Sequence, residues 1–463
     1  MKNNTFLIIA LFCLKLVAVN AQDTVLFNFN GTNGKNPHAS LTLSGNVLYG
    51  MTENGGLNDS GCIFSINTNS KAFQDLYDFK GPQGKLPYGS LTIAGRKLYG
   101  MTYSGGAKGD GVIFSVDTNG KGYKDLLDFN GINGQNSTGS LVIAGNKLYG
   151  MSQFGGSKSE GLVFCIDTNG NGFKDLLDFN NSNGLYPTGS LIIAGNKLYG
   201  MTYFGGTSAD GVVFYIDTNG SGYKKLLDFN GTNGKEPYGA LTIAGNKLYG
   251  MTYAGGASSD GVIFSVDTGG GGYKDLLDFS GPNGQNPLGS LTIAGDILYG
   301  MTASGGSIAG NIFSIDSNGT GYKDLLNFNG TDGQGPAGDI LISGNLLYGL
   351  AWQGGSSSDG VIFRYKDTNI ITSTNNINTT TEQVKLFPDP TNGDITIELK
   401  GAINMAHIEI YNILGEVIYT AQLKASITQI NLNNNASGVY LYRVLTESGG
   451  LISQGRLLLQ KVK

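Results

Sequence analysis

The chain has 463 residues, 75 of them glycine, with 40% hydrophobic and only 14% charged residues and a net charge of −5. Glycine at more than twice its usual share without a Gly-X-Y period excludes collagen, and the hydrophobic fraction with so small a net charge excludes a disordered chain. A mainly helical protein is excluded too, because each interior glycine costs about 1 kcal/mol relative to alanine.

In chain order, residues 1–21 have the form of a secretory signal peptide. Lys2 gives the positive start, residues 6–14 the apolar stretch, and Val19-Asn20-Ala21 a small-residue cleavage site before Gln22. The run is too short to span a bilayer and Lys15 interrupts it. The mature chain is therefore expected to be exported, with no transmembrane segment. With 30 Lys and Arg against 35 Asp and Glu, no basic surface for a nucleic-acid partner is expected. Loss of the leader removes Cys13. Cys62 and Cys165 stand at different offsets in the repeat described next and are expected to be free, buried thiols.

Leu-Tyr-Gly-Met begins at Leu48, Leu98, Leu148, Leu198, Leu248 and Leu298, and Leu-Tyr-Gly-Leu at Leu347. The copies are 50 residues apart, the last 49. That spacing suits four-stranded propeller blades. In the unit containing Leu248, short runs rich in Val, Ile, Phe and Tyr predict strands at 241–244, 248–253, 261–267 and 273–279. Glycine-rich turns separate them, with long loops at 254–260 and 280–289. The array opens at 25–29 with a match to the fourth strand and ends after 361–365 with a match to the third. Pairing the two ends would complete the last blade and leave no open edge. The expected fold is all-β, a seven-bladed β-propeller over residues 22–367 closed by its N-terminal strand.

The order of strand, turn, Leu-Tyr strand, Gly-Gly and aromatic-led fourth strand resembles kelch repeats. Tyr123, Phe173, Tyr223, Tyr273 and Tyr322 stand where kelch units usually carry Trp. Leu98-Tyr99-Gly100-Met101-Thr102, Gly105-Gly106 and Gly111-Val112-Ile113-Phe114 resemble more closely the bacterial tandem GloVer repeats, and the likeness covers about residues 24–367. That resemblance implies a displayed repeat protein and no particular chemistry.

Residues 368–383 are Thr/Asn/Ser-rich and read as a flexible linker. From 384 to 463, short alternating strands predict a small Ig-like β-sandwich. Phe387-Pro388-Asp389-Pro390-Thr391-Asn392-Gly393, Tyr411-Asn412-Ile413-Leu414-Gly415, Gly438-Val439-Tyr440-Leu441 and Lys461-Val462-Lys463 resemble the C-terminal sorting domain of the type IX secretion system. Asp389 replaces the family's usual Asn. The resemblance implies that the type IX machinery is a partner and that the chain is secreted or displayed on the outer surface. An ordinary Ig-like adhesion module is the alternative.

Motifs for chemistry are few. The sequence has two histidines, His38 and His407, no Gly-x-Ser-x-Gly elbow and no phosphate loop, and no cofactor is expected. Asp167, Asn169 and Asn171 have the spacing of a calcium-loop start. An Asn-Gly hairpin turn explains them more simply, so no metal is expected. Asp110, Glu160, Asp210, Asp260 and Asp359 precede third strands and read as turn formers.

The two long loops of each unit are expected on one face. There Tyr88, Tyr103, Phe154, Tyr203, Phe204, Tyr238, Tyr253 and Trp352 form candidate ligand contacts, with His38 and Leu288 at the same offsets. The alternative is that they pack between blades. His38, Glu53 and Asp339 replace ordinary repeat residues in the first and last units, which closure would make neighbours, and are the candidate catalytic groups. The chain is thus expected to be a monomeric surface module that recognises an extracellular glycan or protein. A polysaccharide hydrolase or lyase, or a purely structural surface component, are the alternatives.

Overall fold

Each repeat folds into four antiparallel strands, and the reasons are local. In the unit quoted above they are Thr242–Ala244, Lys247–Met251, Val262–Asp267 and Lys274–Asp278. Gly245, at φ 58°, occupies the first position of a two-residue hairpin turn, where only glycine is comfortable. The third strand is buried at five of its six positions. A register shift between Ile263 and Phe264 bulges the fourth strand against it. The computed structural model describes residues 25–368, 370, 384–399, 406–412, 417–423, 425–446 and 451–461. The expected signal peptide, and the expected linker apart from residues 368 and 370, lie outside the described residues.

The chain divides into two units, Met1–Ile371 and Thr372–Lys463. The first holds six four-stranded sheets and one five-stranded sheet. In the latter, Val25–Asn28 pairs antiparallel with Val361–Lys366, in the place the fourth strand takes elsewhere. A short strand not foreseen from the sequence, Gln334–Pro336, adds to the edge of Leu346–Gln353. The described residues contain one 3₁₀ turn, Gly81–Gln83, and no α-helix. This is a β-propeller, an all-β ring of repeated sheets.

The core lies between the sheets. Phe79, the residue after one fourth strand, packs edge-on against Phe114 of the next third strand, with centroids 5.2 Å apart. Phe129–Phe164, Phe179–Phe214, Phe229–Phe264 and Phe279–Phe313 repeat the arrangement. Phe29, the residue after the N-terminal strand, meets Phe64 in the same way at 5.3 Å. The glycine of each Leu-Tyr-Gly lies under such a ring: a Cβ on Gly100 would stand 2.6 Å from Phe114 Cζ.

Around the axis a chain of bonds links sheet to sheet. The Ser40 N–H donates to Ser90 Oγ, Ser90 N–H to Ser140 Oγ, and Ser140 N–H to Ser190 Oγ. Ala240 lacks the hydroxyl that would accept from residue 190, but its own N–H donates to Ser290 Oγ. The circle closes through Asp339, whose carboxylate accepts from Ser290 N–H and whose N–H donates to Ser40 Oγ.

On the fourth strands, Asp75, Asp125 and Asp175 each lie beside a second carboxylate, from Asp78, Asp128 and Asp178. Burial, then that neighbour, pushes each up to about 6. Lys225 occupies the matching position in another sheet and pairs with Asp228 at 2.8 Å. A carboxyl raised in the folded state contributes stability that is full below its unfolded pKa, near 4, and is lost as pH rises through about 6. Asp125→Asn is therefore expected to stabilise the protein at pH 7.5, by less than about 1 kcal/mol after solvent screening, and so to raise its melting temperature. It should have little effect at pH 4.5. Melts at the two pH values test this, and an equal shift at both would refute the carboxylate-pair origin.

The second unit has a three-stranded sheet of Val384–Phe387, Asp394–Leu399 and Ile427–Asn431. Its four-stranded sheet comprises Val417–Leu423, Ala406–Tyr411, Gly438–Thr446 and Leu451–Leu459. Ile395, Ile397, Ile408, Ile410, Val444 and Leu457 place both sheets around one apolar core. Asp389, the residue that departs from the sorting pattern, accepts the backbone N–H of Leu458 at 2.9 Å.

Candidate functional site

The two long loops of each unit lie together, as the strand order requires. Lys85 N–H donates to Ser104 O and Gly106 N–H to Gly81 O, with equivalents in the other units. The acids before the third strands act through their backbone. The carbonyls of Asp110, Glu160, Asp210, Asp260 and Asp359 accept the N–H of Asn136, Tyr186, Glu236, Asn286 and Asn36 in the following units. Those five residues have left-handed φ of 52° to 57°. Asn is the non-glycine residue best suited to that conformation. At three of these positions its amide also holds the backbone of an aromatic candidate. Asn36 donates to Trp352 O, Asn136 to Tyr103 O and Asn286 to Tyr253 O, at 2.8–3.0 Å. The aromatics at the end of the second strands thus sit on a rigid rim.

At the axis, residues before most of the first strands and after two second strands converge on a cavity of about 290 Å³. Four expected contacts, Tyr88, Tyr203, Tyr238 and Tyr253, line it with His38 and Leu288. Thr138 and Ala337 complete the wall. Tyr103 lies one step behind, edge-on to Tyr88 at 5.3 Å. Trp352 stacks on His38, with centroids 5.1 Å apart. Phe154 and Phe204 lie outside the cavity, flanking Tyr186 at 5.0 and 6.4 Å. Phe204 also packs against Tyr203 at 4.5 Å.

Two of the three candidate catalytic groups meet. His38 Nε2 is 3.1 Å from Glu53 Oε2, and the Tyr88 hydroxyl donates to Glu53 Oε1 at 2.8 Å. Burial raises the Glu53 pKa, but the bonds from His38 and Tyr88 outweigh it and leave the carboxyl below its usual range. Burial, then Glu53, pushes the Tyr88 phenol up, so it remains a donor at neutral pH. Asp339 does not join them. Its carboxylate and N–H are part of the axial circle of bonds, in the place serine holds in other units.

The calcium-like turn is a closed hairpin turn. Lys147 pairs with Asp167 at 3.0 Å, and Asn169 Oδ1 accepts the Asn171 N–H at 2.9 Å. Among the described residues no group of three or more His, Cys, Asp or Glu could hold a metal. Cys62 and Cys165 are free and buried, and burial raises both thiols.

Sequence reasoning missed four residues at this face: Thr138, Ala337, Tyr186 and Glu236. Glu236 accepts the Tyr203 hydroxyl at 3.1 Å, much as Glu53 holds Tyr88. Their only signal was column position, since each occupies an offset already occupied by a flagged residue or by a left-handed turn residue.

The family model described as the Gloeobacter/Verrucomicrobia repeat matches residues 11–214, 140–308 and 195–393. The chain belongs to the Gloeobacter/Verrucomicrobia repeat family. In this repeat protein a secretion system C-terminal sorting domain matches residues 385–455. That domain marks the chain for secretion and cell-surface attachment by the type IX system, whose machinery is thereby a partner. No helix among the described residues is long and apolar enough to cross a membrane. No curated protein matches the repeat protein.

Among solved structures, the repeat protein is similar to the extracellular domain of a one-component system from B. thetaiotaomicron. The identity is 13%, with 95% of this chain and 60% of that chain covered, at a TM-score of 0.50. This chain therefore spans about three fifths of that structure's length, and the likeness is one of fold. It is also similar to the β-propeller domain of the Trilobed protease from Pyrococcus furiosus, at 13% identity, 75% and 99% coverage and a TM-score of 0.41. A polysaccharide lyase matches at 11% identity, 76% and 94% coverage and a TM-score of 0.44.

Proposed function

We propose that residues 22–367 form a seven-bladed propeller that acts as a recognition or adhesion module at the cell surface. Residues 368–383 would tether it to an Ig-like sorting sandwich at 384–463, and the module would work as a monomer. Its ligand is an extracellular glycan, bound through the long-loop face. The observation that supports this most is the axial cavity lined by Tyr88, Tyr203, Tyr238 and Tyr253 with His38 at its side. A pyranose ring presents an apolar C–H face and a rim of hydroxyls. Aromatic walls with a few fixed polar groups complement both. A protein ligand would instead engage the outer rim around Phe154, Tyr186 and Phe204.

A hydrolase or lyase is the second reading, favoured by the His38–Glu53–Tyr88 chain of bonds alone. Affinity electrophoresis of the secreted chain in gels containing neutral polysaccharides, run beside a reducing-sugar assay, separates the two. Retardation without sugar release is expected, and the Tyr203→Ala variant should lose most of the retardation. Turnover abolished by Glu53→Gln would establish the enzyme instead.

A further inference from the structure

The axial cavity narrows along the axis. Below its wall lies a collar of seven three-residue segments around a channel of about 70 Å³. The glycines of that collar are packed backbone to backbone. A Cβ on Gly89, Gly139, Gly189, Gly239 or Gly289 would lie 2.1–2.3 Å from the carbonyl oxygen of the matching glycine in the next unit. The space inside the collar is far smaller than the cavity above it, so a sugar ring is held in the cavity and not in the collar.

The wall is uneven in a way that selects the occupant. Tyr88 and Tyr238 stand three units apart around the axis, almost opposite, and Tyr238 is near enough to bear on the ionisation of Tyr88. Both rings line the one cavity. Leu288 and Ala337 share one flank with His38, and Thr138 stands on the other. No Lys or Arg lines the cavity, and the ionised Glu53 backs one side of it. An anionic sugar would meet the Glu53 charge with no Lys or Arg beside it. At about 290 Å³ the volume is at the lower end of small-ligand sites, which run from roughly 300 to 1,000 Å³.

We infer that the cavity takes a single uncharged terminal pyranose, so that the protein reads the end of a neutral glycan and not its interior. The inference rests on the glycan reading of the long-loop face and narrows it. The terminal ring stacks between Tyr88 and Tyr238, and its hydroxyl edge is held by His38, which Glu53 orients.

The test uses the secreted chain and saturation-transfer NMR with methyl glycosides of glucose, galactose, mannose, fucose and N-acetylglucosamine, and of glucuronic acid. At least one neutral glycoside should bind, glucuronide at least tenfold more weakly. Tyr238→Ala should weaken binding at least tenfold, while Tyr238→Phe, which keeps the stacking face, should restore most of it. Thr138→Trp, which fills the cavity from a different unit, should abolish it, with thermal melts confirming that each variant is folded. Retardation by polysaccharides with no binding of any methyl glycoside, or binding unchanged in Thr138→Trp, would overturn end recognition and leave the glycan reading standing. No retardation and no glycoside binding would overturn both.

Discussion

Phe29→Ala is expected to cost about 3–5 kcal/mol, as much as Phe279→Ala in the middle of the array. The two residues are far apart in the chain but equivalent in the fold. Phe29 is 1% exposed and Phe279 is fully buried. Each ring packs edge-on against a third-strand phenylalanine, at 5.3 Å for Phe29–Phe64 and 5.5 Å for Phe279–Phe313. Each N–H donates at 3.0 Å to the glycine carbonyl that opens its own third strand, Gly360 and Gly261. Phe29 reaches Gly360 only because the N-terminal strand completes the last sheet. Leu26 shares a core there with Leu41, Leu48, Tyr348 and Ile362. Denaturant titration of both variants measures the comparison. A cost for Phe29→Ala below about 1 kcal/mol, beside a full cost for Phe279→Ala, would mean that the N-terminal strand is dispensable. Deleting residues 25–29 should do more, because it bares the Val361–Lys366 edge to pairing with other chains. The deletion variant is expected to aggregate when expressed.

The same equivalence explains what was legible in the sequence. A repeated residue meets a repeated environment, so the Leu-Tyr-Gly strands and the spare N-terminal strand could be read from spacing alone. Column reading also found Tyr88, Tyr203, Tyr238 and Tyr253, because large aromatics at loop ends depart from the Gly, Asn and Ser around them. It passed over Thr138 and Ala337, whose small side chains shape the cavity by leaving room. It passed over Glu236 because the left-handed turn position it fills is otherwise occupied by residues such as Asn and Leu. Asp339 misled in the opposite direction. A lone carboxylate in a serine column suggests chemistry, yet its oxygen accepts the same backbone N–H that a serine hydroxyl accepts elsewhere. The strand Gln334–Pro336 carried no β pattern at all, and its pairing depends on the neighbouring long strand.

Gly189→Ala should destabilise the protein by about 3 kcal/mol or more, although it adds a single methyl group. The new Cβ would stand 2.2 Å from Gly239 O and 2.7 Å from its carbonyl carbon. Most overpacked sites relax by turning a side chain, and the usual cost is about 1–3 kcal/mol. Here the obstacle is backbone, and the backbone belongs to a collar that closes on itself through Asp339 and Ser40. One junction can widen only if the others shift, so little relaxation is available. Position 39 is the built-in comparison, since alanine already stands there, 4% exposed. Ala39→Gly should therefore fall within about 1 kcal/mol of the parent. Gly195→Ala, in a turn with open space around its Cβ but φ of 60°, should cost about 1–2 kcal/mol from backbone strain alone. The order Gly189→Ala, then Gly195→Ala, then Ala39→Gly is the expected ranking of lost stability, measured by thermal or denaturant unfolding. If Gly189→Ala proved no worse than Gly195→Ala, the collar would have slack. A collar with slack could not hold Tyr238 and Thr138 at the spacing that gives the cavity its floor and walls, so ligand binding in that variant would be the next quantity to measure.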